Sequence, residues 1–231
     1  MSAPDATHRA RLVDTRVPRR PEGVVLVLHG GASRRDRVRV SPTQLSVVRM
    51  VPIARRIAAA GRGRLAVFRL LNSTRGWDAS HTPVEDVRWA LAEIGSRFGD
   101  SLPVCLVGHS LGGRAALLAG DQDGVRSVVA LAPWVHESDG GVVDLAGRQV
   151  LVVHGDQDRV ASPSRSAVVA RALRRTTEVG YVVVRGGRHA MLRHGRVFDR
   201  AASDFATATL LGTKARPPVR QVLAGEDLVE V

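Results

Sequence analysis

One serine of this chain stands in a sequence context that could make its hydroxyl reactive. The stretch GHSLGG (108–113) follows the apolar run LPVCLVG and opens a helix-length segment. A sharp turn from a strand into a helix would hold Ser110 in a strained conformation with its Oγ exposed. Glycines at 108 and 112 fit such a turn, because side chains there would collide with the closely approaching strand and helix. We therefore predict that Ser110 is a nucleophile.

A serine hydroxyl needs a general base to take its proton, and that base must be oriented by a third group. A candidate base and candidate carboxylates each come directly after an apolar run further along the chain. Asp156 and Asp158 come after RQVLVVHG, and either could be the orienting carboxylate. His189 follows GYVVVRG and is the expected base. His194 is a competing histidine, but we expect it inside the last helix, on a solvent-exposed face.

These reactive groups all follow short, almost continuously apolar runs, which are typical of parallel strands covered on both faces. Six such runs predict strands at 23–30, 64–71, 102–108, 125–133, 148–155 and 180–186. Helix-length segments alternate with them at 46–60, 83–98, 111–120, 164–175 and 190–211. The alternation predicts an α/β fold, a doubly wound and mostly parallel sheet with helices on both faces. Ligands bind outside the carboxyl ends of such strands, so the reactive groups should meet there.

The 231 residues show no repeat and no shift in composition, which favours one domain at 23–211. Residues 1–22 are expected to form an N-terminal segment that contains a candidate edge strand at 7–17. Residues 212–231 are expected to form a C-terminal tail over the surface. Before the second helix, Thr82 is the expected N-cap, followed by a proline at the first helical position.

Composition and charge exclude several classes of protein. The net charge is +12, but its arginines are scattered along the chain and no aromatic residues interleave with them, which argues against nucleic-acid binding. No apolar run approaches the ~18 residues that span a membrane. A single cysteine, Cys105, excludes an internal disulfide. We predict a cytoplasmic protein with no membrane segment.

The order of serine, aspartate and histidine, each at a strand end, resembles that of the α/β-hydrolase superfamily over about residues 20–210. The resemblance implies that Ser110 is the nucleophile and His189 the base. The family pattern H-G-x-x-D implies that Asp158 is the acid and that Asp156 is a turn residue.

A second resemblance lies after the first predicted strand, where His29-Gly30-Gly31 is similar to the H-G-x segment before the family's oxyanion loop. It implies that the N–H of Gly31 pairs with that of Leu111 to form the oxyanion hole. Ala32 is the alternative donor and a candidate substrate contact. His29, His109 and His154 are expected to be structural, because no element carries metal-ligand spacing. We expect neither metal nor cofactor.

The α/β-hydrolases usually insert a cap between the strands predicted at 125–133 and 148–155. Here the interval WVHESDGGVVDLAG has fourteen residues, too few for a helical lid. The chain thus resembles small lidless hydrolases such as dienelactone hydrolase-like proteins and carboxylesterases, with serine in place of the cysteine of dienelactone hydrolases proper. Pocket walls are expected from loops 33–44 and 72–81, with Trp77 and Trp134 as candidate substrate-binding residues.

The resemblance implies a serine hydrolase that cleaves a small carboxylic ester, a small-molecule substrate, through an acyl-enzyme. A peptidase or amidase is the first alternative, since the chain also resembles prolyl-oligopeptidase-like catalytic domains. A catalytically inactive fold that serves as a basic binding module is the second. Four arginines in the 33–44 loop either face solvent or recognise an acidic substrate: Arg34, Arg35, Arg37 and Arg39.

Overall fold

The computed structural model describes residues 10–31, 39–77 and 80–231. Ala32 and most of the arginine-rich loop lie outside these residues. The described chain forms eight strands: β1 (Arg11–Arg16), β2 (Gly23–Leu28), β3 (Leu65–Leu71), β4 (Val104–His109), β5 (Val125–Leu131), β6 (Gln149–Gly155), β7 (Glu178–Val184) and β8 (Leu228–Glu230). It also forms seven α-helices: α1 (Leu45–Val48), α2 (Met50–Ala60), α3 (Thr82–Phe98), α4 (Leu111–Leu118), α5 (Pro163–Leu173), α6 (Gly195–Leu211) and α7 (Val219–Leu223).

All eight strands join one sheet in the order β1-β3-β2-β4-β5-β6-β7-β8. The strand β1 pairs antiparallel with β3, and every other pairing is parallel. The six predicted strands correspond to β2–β7, so the predicted α/β class with a mostly parallel sheet is confirmed. The strand β1 lies within the interval 7–17 and forms one edge of the sheet.

The sheet is covered on both faces, which explains why its strands are apolar at successive positions. Along β2, Val24, Leu26 and Leu28 belong to one core and Val25 and Val27 to the other. The first core includes apolar residues of α3, α4 and α5, and the second those of α2 and α6. Burial of both faces of the central strands makes them a rigid support for the loops at their ends.

The C-terminal residues correct the expectation of a surface tail at 212–231. Val219 of α7 is fully buried, and β8 adds an eighth strand in parallel with β7. Gly180 of β7 makes room for this helix, because a Cβ there would lie 1.7 Å from Val222 Cγ1. The C-terminal segment is therefore part of the same domain as the sheet.

Two helix starts also differ from the sequence-based expectation. The helix α3 begins at Thr82, with His81 in the N-cap position at φ 52°, so Thr82 is not the N-cap. The helix predicted at 190–211 is α6, which begins at Gly195 with His194 in its N-cap position. The residues from His189 to His194 are thus free to form the loop that follows β7.

The interval 132–148, between β5 and β6, contains one short 3₁₀ helix, Glu137–Gly141, and no helical lid. Asp139 in this turn accepts two hydrogen bonds from the guanidinium of Arg114, at 2.7 and 2.8 Å, and both side chains are buried. The ion pair fastens the segment to α4. Within the described residues, none of the helices combines the length and apolar character that a membrane crossing requires.

Candidate active site

Ser110 occupies the turn between β4 and α4 in a backbone conformation that residues other than glycine rarely adopt. Its φ is 57° and its ψ is −121°. A Cβ on Gly108 would lie 2.0 Å from the carbonyl oxygen of Gly112, and a Cβ on Gly112 would lie 2.5 Å from that of His29. Both glycines are therefore needed for the close approach of strand and helix. The turn presents Ser110 at the carboxyl end of β4.

A continuous chain of hydrogen bonds joins the three residues predicted to react. Ser110 Oγ lies 3.0 Å from His189 Nε2, and His189 Nδ1 lies 2.8 Å from Asp158 Oδ2. Asp156 instead accepts a hydrogen bond from the N–H of Gly186 at 2.7 Å. It ties the end of β6 to the end of β7 and does not reach the imidazole. His194, at the start of α6, is not part of this chain of hydrogen bonds.

The environment of Asp158 keeps its carboxylate ionised. Burial acts to raise its pKa, but hydrogen bonds from His154, from His189 and from the N–H groups of Ala161 and Val160 outweigh burial and hold the pKa well below its usual range. The two backbone bonds reach Oδ1 at 2.8 and 2.9 Å, which leaves Oδ2 facing the histidines. The carboxylate can therefore fix the orientation of His189 and stabilise positive charge on its ring.

The two backbone amides predicted to form the oxyanion hole lie beside Ser110. Gly31 and Leu111 line the same cavity as the serine. Neither N–H donates a hydrogen bond to another described residue, and that of Leu111 belongs to the first turn of α4, where amides have no partner within the helix. A Cβ on Gly31 would lie 2.5 Å from the carbonyl oxygen of Arg75, so the loop after β3 packs directly against it. The alternative donor, Ala32, lies outside the described residues.

Two buried histidines support this site in their neutral forms. His29 Nδ1 donates to the carbonyl of Gly30 at 2.6 Å, and its Nε2 accepts the N–H of Asn72 at 3.2 Å. Burial lowers the pKa of His29, against the effect of its hydrogen bond to Gly30. His109 Nε2 donates to the carbonyl of His189 at 2.9 Å. Burial, and then the charge of His189, lower the pKa of His109 to about 3.

The cavity at Ser110 has a volume of about 220 Å³. Trp134 lines it, as predicted, and so do three residues that the sequence analysis did not identify: Ser46, Arg49 and Val160. Ser46 and Arg49 lie at α1 and the start of α2, the first helices after the oxyanion loop. Their position beyond the carboxyl end of β2 is the one signal that could have indicated them.

The expected pocket walls at Trp77 and in the two loops need correction. The ring of Trp77 stacks on the guanidinium of Arg114, 4.3 Å from its centroid, and is not part of the wall around Ser110. The ion pair of Arg114 with Asp139 holds the guanidinium in this stack. The described parts of the two loops, 39–44, 72–77 and 80–81, also do not line the cavity at Ser110.

A larger cavity, of about 350 Å³, lies at the amino ends of β6 and β7 beside α7. It contains none of the reactive groups. In parallel sheets the ligand site is at the carboxyl ends of the strands, so the smaller cavity at Ser110 is the candidate active site. Across 10–31, 39–77 and 80–231, no group of three or more His, Cys, Asp or Glu side chains is arranged to hold a metal ion.

Comparison with known proteins finds similarity in fold and little in sequence. No family model matches the chain, and no curated protein matches it. An alpha-beta serine hydrolase homologue from Coxiella burnetii has a TM-score of 0.66 at 18% identity, over 87% of this chain and 93% of that chain. Est1E from Butyrivibrio proteoclasticus, solved with ferulic acid bound, has a TM-score of 0.63 at 16% identity, over 87% and 94%.

The esterase domain of a Rhodothermus marinus protein is also similar, with a TM-score of 0.60 at 19% identity over 84% of this chain and 88% of that chain. All three likenesses extend over most of both chains. Together with the mostly parallel sheet and its strand order, they show that the chain has the fold of the α/β-hydrolase superfamily.

Proposed function

We propose that this protein is a serine hydrolase that cleaves a small carboxylic ester through an acyl-enzyme. The observation that carries the proposal is the hydrogen-bonded chain from Ser110 through His189 to Asp158, with distances of 3.0 and 2.8 Å. Nucleophile, base and orienting acid are within hydrogen-bond reach in the order that the reaction needs. The esterases among the similar structures support the same class of reaction.

The first half of the proposed reaction forms the acyl-enzyme. Ser110 Oγ attacks the ester carbonyl carbon while His189 Nε2 takes the hydroxyl proton. The N–H groups of Gly31 and Leu111 stabilise the oxyanion of the tetrahedral intermediate. The bond from carbon to the alcohol oxygen then breaks, and the imidazolium gives its proton to the departing oxygen. Asp158 holds the ring in orientation throughout.

In the second half, water replaces the alcohol. His189 takes a proton from water as its oxygen attacks the acyl carbon, and the oxyanion forms again between the same two N–H groups. The bond to Ser110 Oγ breaks, Oγ regains its proton from His189, and the carboxylic acid leaves. No metal or cofactor takes part in this scheme, and the substrate is a small molecule.

The size of the cavity supports a small acyl group. At about 220 Å³ it is smaller than the roughly 300–1,000 Å³ of pockets for drug-sized ligands. A lid would be inserted in the segment 132–148. This segment is short and is fastened to α4 by the ion pair of Asp139 with Arg114. Trp134 and Val160 supply apolar wall close to the serine.

A fluorophosphonate probe tests the proposal directly, because it reacts only with an activated serine. We expect stoichiometric labelling of the wild-type protein and none of Ser110→Ala. Ser101→Ala is the matched control, since this exposed serine lies before β4 at the opposite end of the sheet; it should label like the wild type. Turnover of p-nitrophenyl butyrate accompanies the labelling assay.

The alternatives give different results in the same experiments. Faster release of p-nitroaniline from an acyl anilide than of p-nitrophenol from the matched ester would indicate an amidase or peptidase. Absence of labelling, together with salt-sensitive retention on DNA, would indicate a basic binding module and contradict the proposal. A cytoplasmic location is proposed as well, and cell fractionation tests it.

A further inference from the structure

Among the described residues that line the candidate active site, Arg49 is the one arginine or lysine. Arg49 lies between α1 and α2, where it is the C-cap residue of α1 and the N-cap residue of α2. Its half-buried side chain lines the cavity of about 220 Å³ that contains Ser110 and His189. A guanidinium remains charged at any pH at which a protein is folded, so it brings a fixed positive charge to the wall.

Within the described part of the chain, no carboxylate forms an ion pair with Arg49 and no acceptor takes a hydrogen bond from its guanidinium; its backbone N–H donates to the carbonyl of Leu45. The contrast with Arg114 is direct, since the guanidinium of that buried arginine makes two hydrogen bonds to Asp139. Burial lowers the pKa of Arg49, which is the sign of a cation that has lost water without gaining a partner. An unpaired, partly desolvated charge is costly unless something else compensates it.

The rest of the cavity offers no compensating charge. Its described lining contains no aspartate or glutamate, and Asp158 lies behind the ring of His189 with no exposed side-chain surface. The charge of Arg49 acts inward: after burial and the charge of His189, it is one of the causes that lower the pKa of His109, the neighbour of Ser110. Ser46, one turn before Arg49, adds a hydroxyl to the same wall.

We propose that the ester cleaved at Ser110 carries a free carboxylate on its acyl chain, and that Arg49 binds this carboxylate. The inference rests on the proposed function and specifies its substrate class: half-esters of short dicarboxylic acids. A guanidinium can donate two parallel hydrogen bonds to one carboxylate, which fixes the acyl chain as well as binding it. The arginine-rich loop considered from the sequence is not needed for this role.

Two methyl esters matched in acyl length test the inference: monomethyl succinate and methyl butyrate, both followed by proton release at constant pH. We expect the wild-type kcat/KM for monomethyl succinate to exceed that for methyl butyrate by about tenfold to a hundredfold, the scale of one or two charge-assisted hydrogen bonds. The ratio of the two kcat/KM values should fall to about 1 in Arg49→Gln, mainly through KM. Arg49→Lys, which keeps the charge without the planar fork, should retain part of the preference.

Arg55→Gln is the matched control, because it removes an equal charge from an exposed position on α2. It should keep the wild-type ratio, and a loss there equal to that in Arg49→Gln would assign the effect to overall charge and overturn the inference. A wild-type enzyme that cleaves methyl butyrate with no preference for monomethyl succinate also overturns it, while the proposed function stands. Failure of fluorophosphonate labelling would instead contradict the proposed function.

A measurement that needs no turnover covers the case in which neither methyl ester is cleaved. Free succinate should slow fluorophosphonate labelling of the wild-type Ser110 and of Arg55→Gln, and should leave the labelling rate of Arg49→Gln unchanged. Equal protection of all three proteins, or protection of none, would contradict the role of Arg49.

Discussion

His154 Nε2 lies 3.2 Å from Oδ2 of Asp158, the same oxygen that accepts a hydrogen bond from His189. The side chains of His154 and Asp158 are both fully buried. Nε2 also faces the carbonyl oxygen of Ala161, so it carries the proton and donates to both acceptors. On the other side of the ring, Nδ1 lies 2.7 Å from the hydroxyl of Ser166, which lies 2.8 Å from that of Tyr181.

This arrangement predicts that His154 positions the acid of the triad. Replacement by leucine leaves Oδ2 with one partner and should lower kcat/KM by about tenfold to a hundredfold, the size of effect seen when a buried hydrogen bond to a charged group is lost. Glutamine can donate from its Nε2 and should recover much of the activity. Melting temperatures of both variants provide the control. If His154 had only a structural role, the activities of the variants would follow their melting temperatures and would not depend on whether residue 154 can donate a hydrogen bond.

Asp158→Asn should be severe and Asp156→Asn mild. An asparagine at 158 removes the charge that stabilises the imidazolium and can reverse the ring's tautomer, at a cost of about 10⁴-fold in kcat. Asp156 is exposed, and its carboxylate accepts a hydrogen bond from the N–H of Gly186. Steady-state turnover of p-nitrophenyl butyrate ranks the two variants, and the reverse ranking would show that the other carboxylate is the acid.

The buried His109 predicts a loss of stability on mild acidification. Its pKa in the folded protein is about 3, against an ordinary value of 6.5, so below pH 6.5 the unfolded chain binds a proton that the folded chain excludes. The free energy of unfolding should therefore decrease as the pH is lowered, and this group should contribute about 2 kcal/mol to the decrease between pH 7 and pH 5. Urea denaturation at both pH values gives the change in the free energy of unfolding for the wild type and for His109→Gln. Any destabilisation by the substitution that is independent of pH cancels when the two changes are compared. Equal slopes in the two proteins would contradict the prediction.

Gly112→Ala should destabilise the protein, because the added methyl group would lie 2.5 Å from the carbonyl oxygen of His29 and 2.6 Å from that of Leu28. Forcing extra volume into packed backbone costs about 1–3 kcal/mol or more. Gly195→Ala is the control, since a Cβ at this first residue of α6 meets no atom within 4 Å. It should be neutral or slightly stabilising by urea denaturation. Equal midpoints for the two variants would remove the steric explanation.

The short cavity predicts a limit on acyl length. Each additional methylene is worth about 0.8 kcal/mol while wall remains to cover it. In a series of p-nitrophenyl esters, kcat/KM should rise from acetyl to about butyryl or hexanoyl and then level or fall. Triglyceride emulsions should be poor substrates without interfacial activation, because the segment 132–148 is fastened by Asp139 to Arg114. Palmitoyl esters that were best by tenfold would contradict this.

Local sequence signals were sufficient for the strands and for the turn at Ser110. The glycines around this serine act on residues within a few positions, and the apolar runs reflect burial that each strand undergoes on both faces. A carboxylate at 156 or 158 and a histidine at 189 could be expected because they follow strands whose ends the topology brings to one edge, and the family pattern H-G-x-x-D distinguished Asp158 from Asp156. These features depend on short stretches of chain, and their patterns can be recognised without knowing which other segments pack against them.

The remaining features depend on partners distant in the chain. Trp77 was expected at the pocket, but its ring stacks on Arg114, whose ion pair with Asp139 is not encoded in any local pattern. Arg49 faces the site only because α1 and α2 pack at a given angle over the sheet. The C-terminal strand has three residues, and only Val229 among them is buried, so its pairing with β7 leaves almost no periodic signal.

Backbone packs directly on backbone where the nucleophile meets the oxyanion loop. A Cβ on Gly30 would lie 3.2 Å from the Cβ of Ser110, and a Cβ on Gly112 would lie 2.5 Å from the carbonyl oxygen of His29. The spacing between the Ser110 turn and the loop that carries Gly31 is therefore set by steric contact of main chain with main chain, and it does not depend on the rotamers of the outer wall. Residues that line the outer wall, such as Trp134 or Arg49, can be exchanged for others without shifting the reacting groups. Changes at the wall of the cavity can thus alter which substrate fits, while the arrangement of Ser110, His189 and Asp158 stays constant.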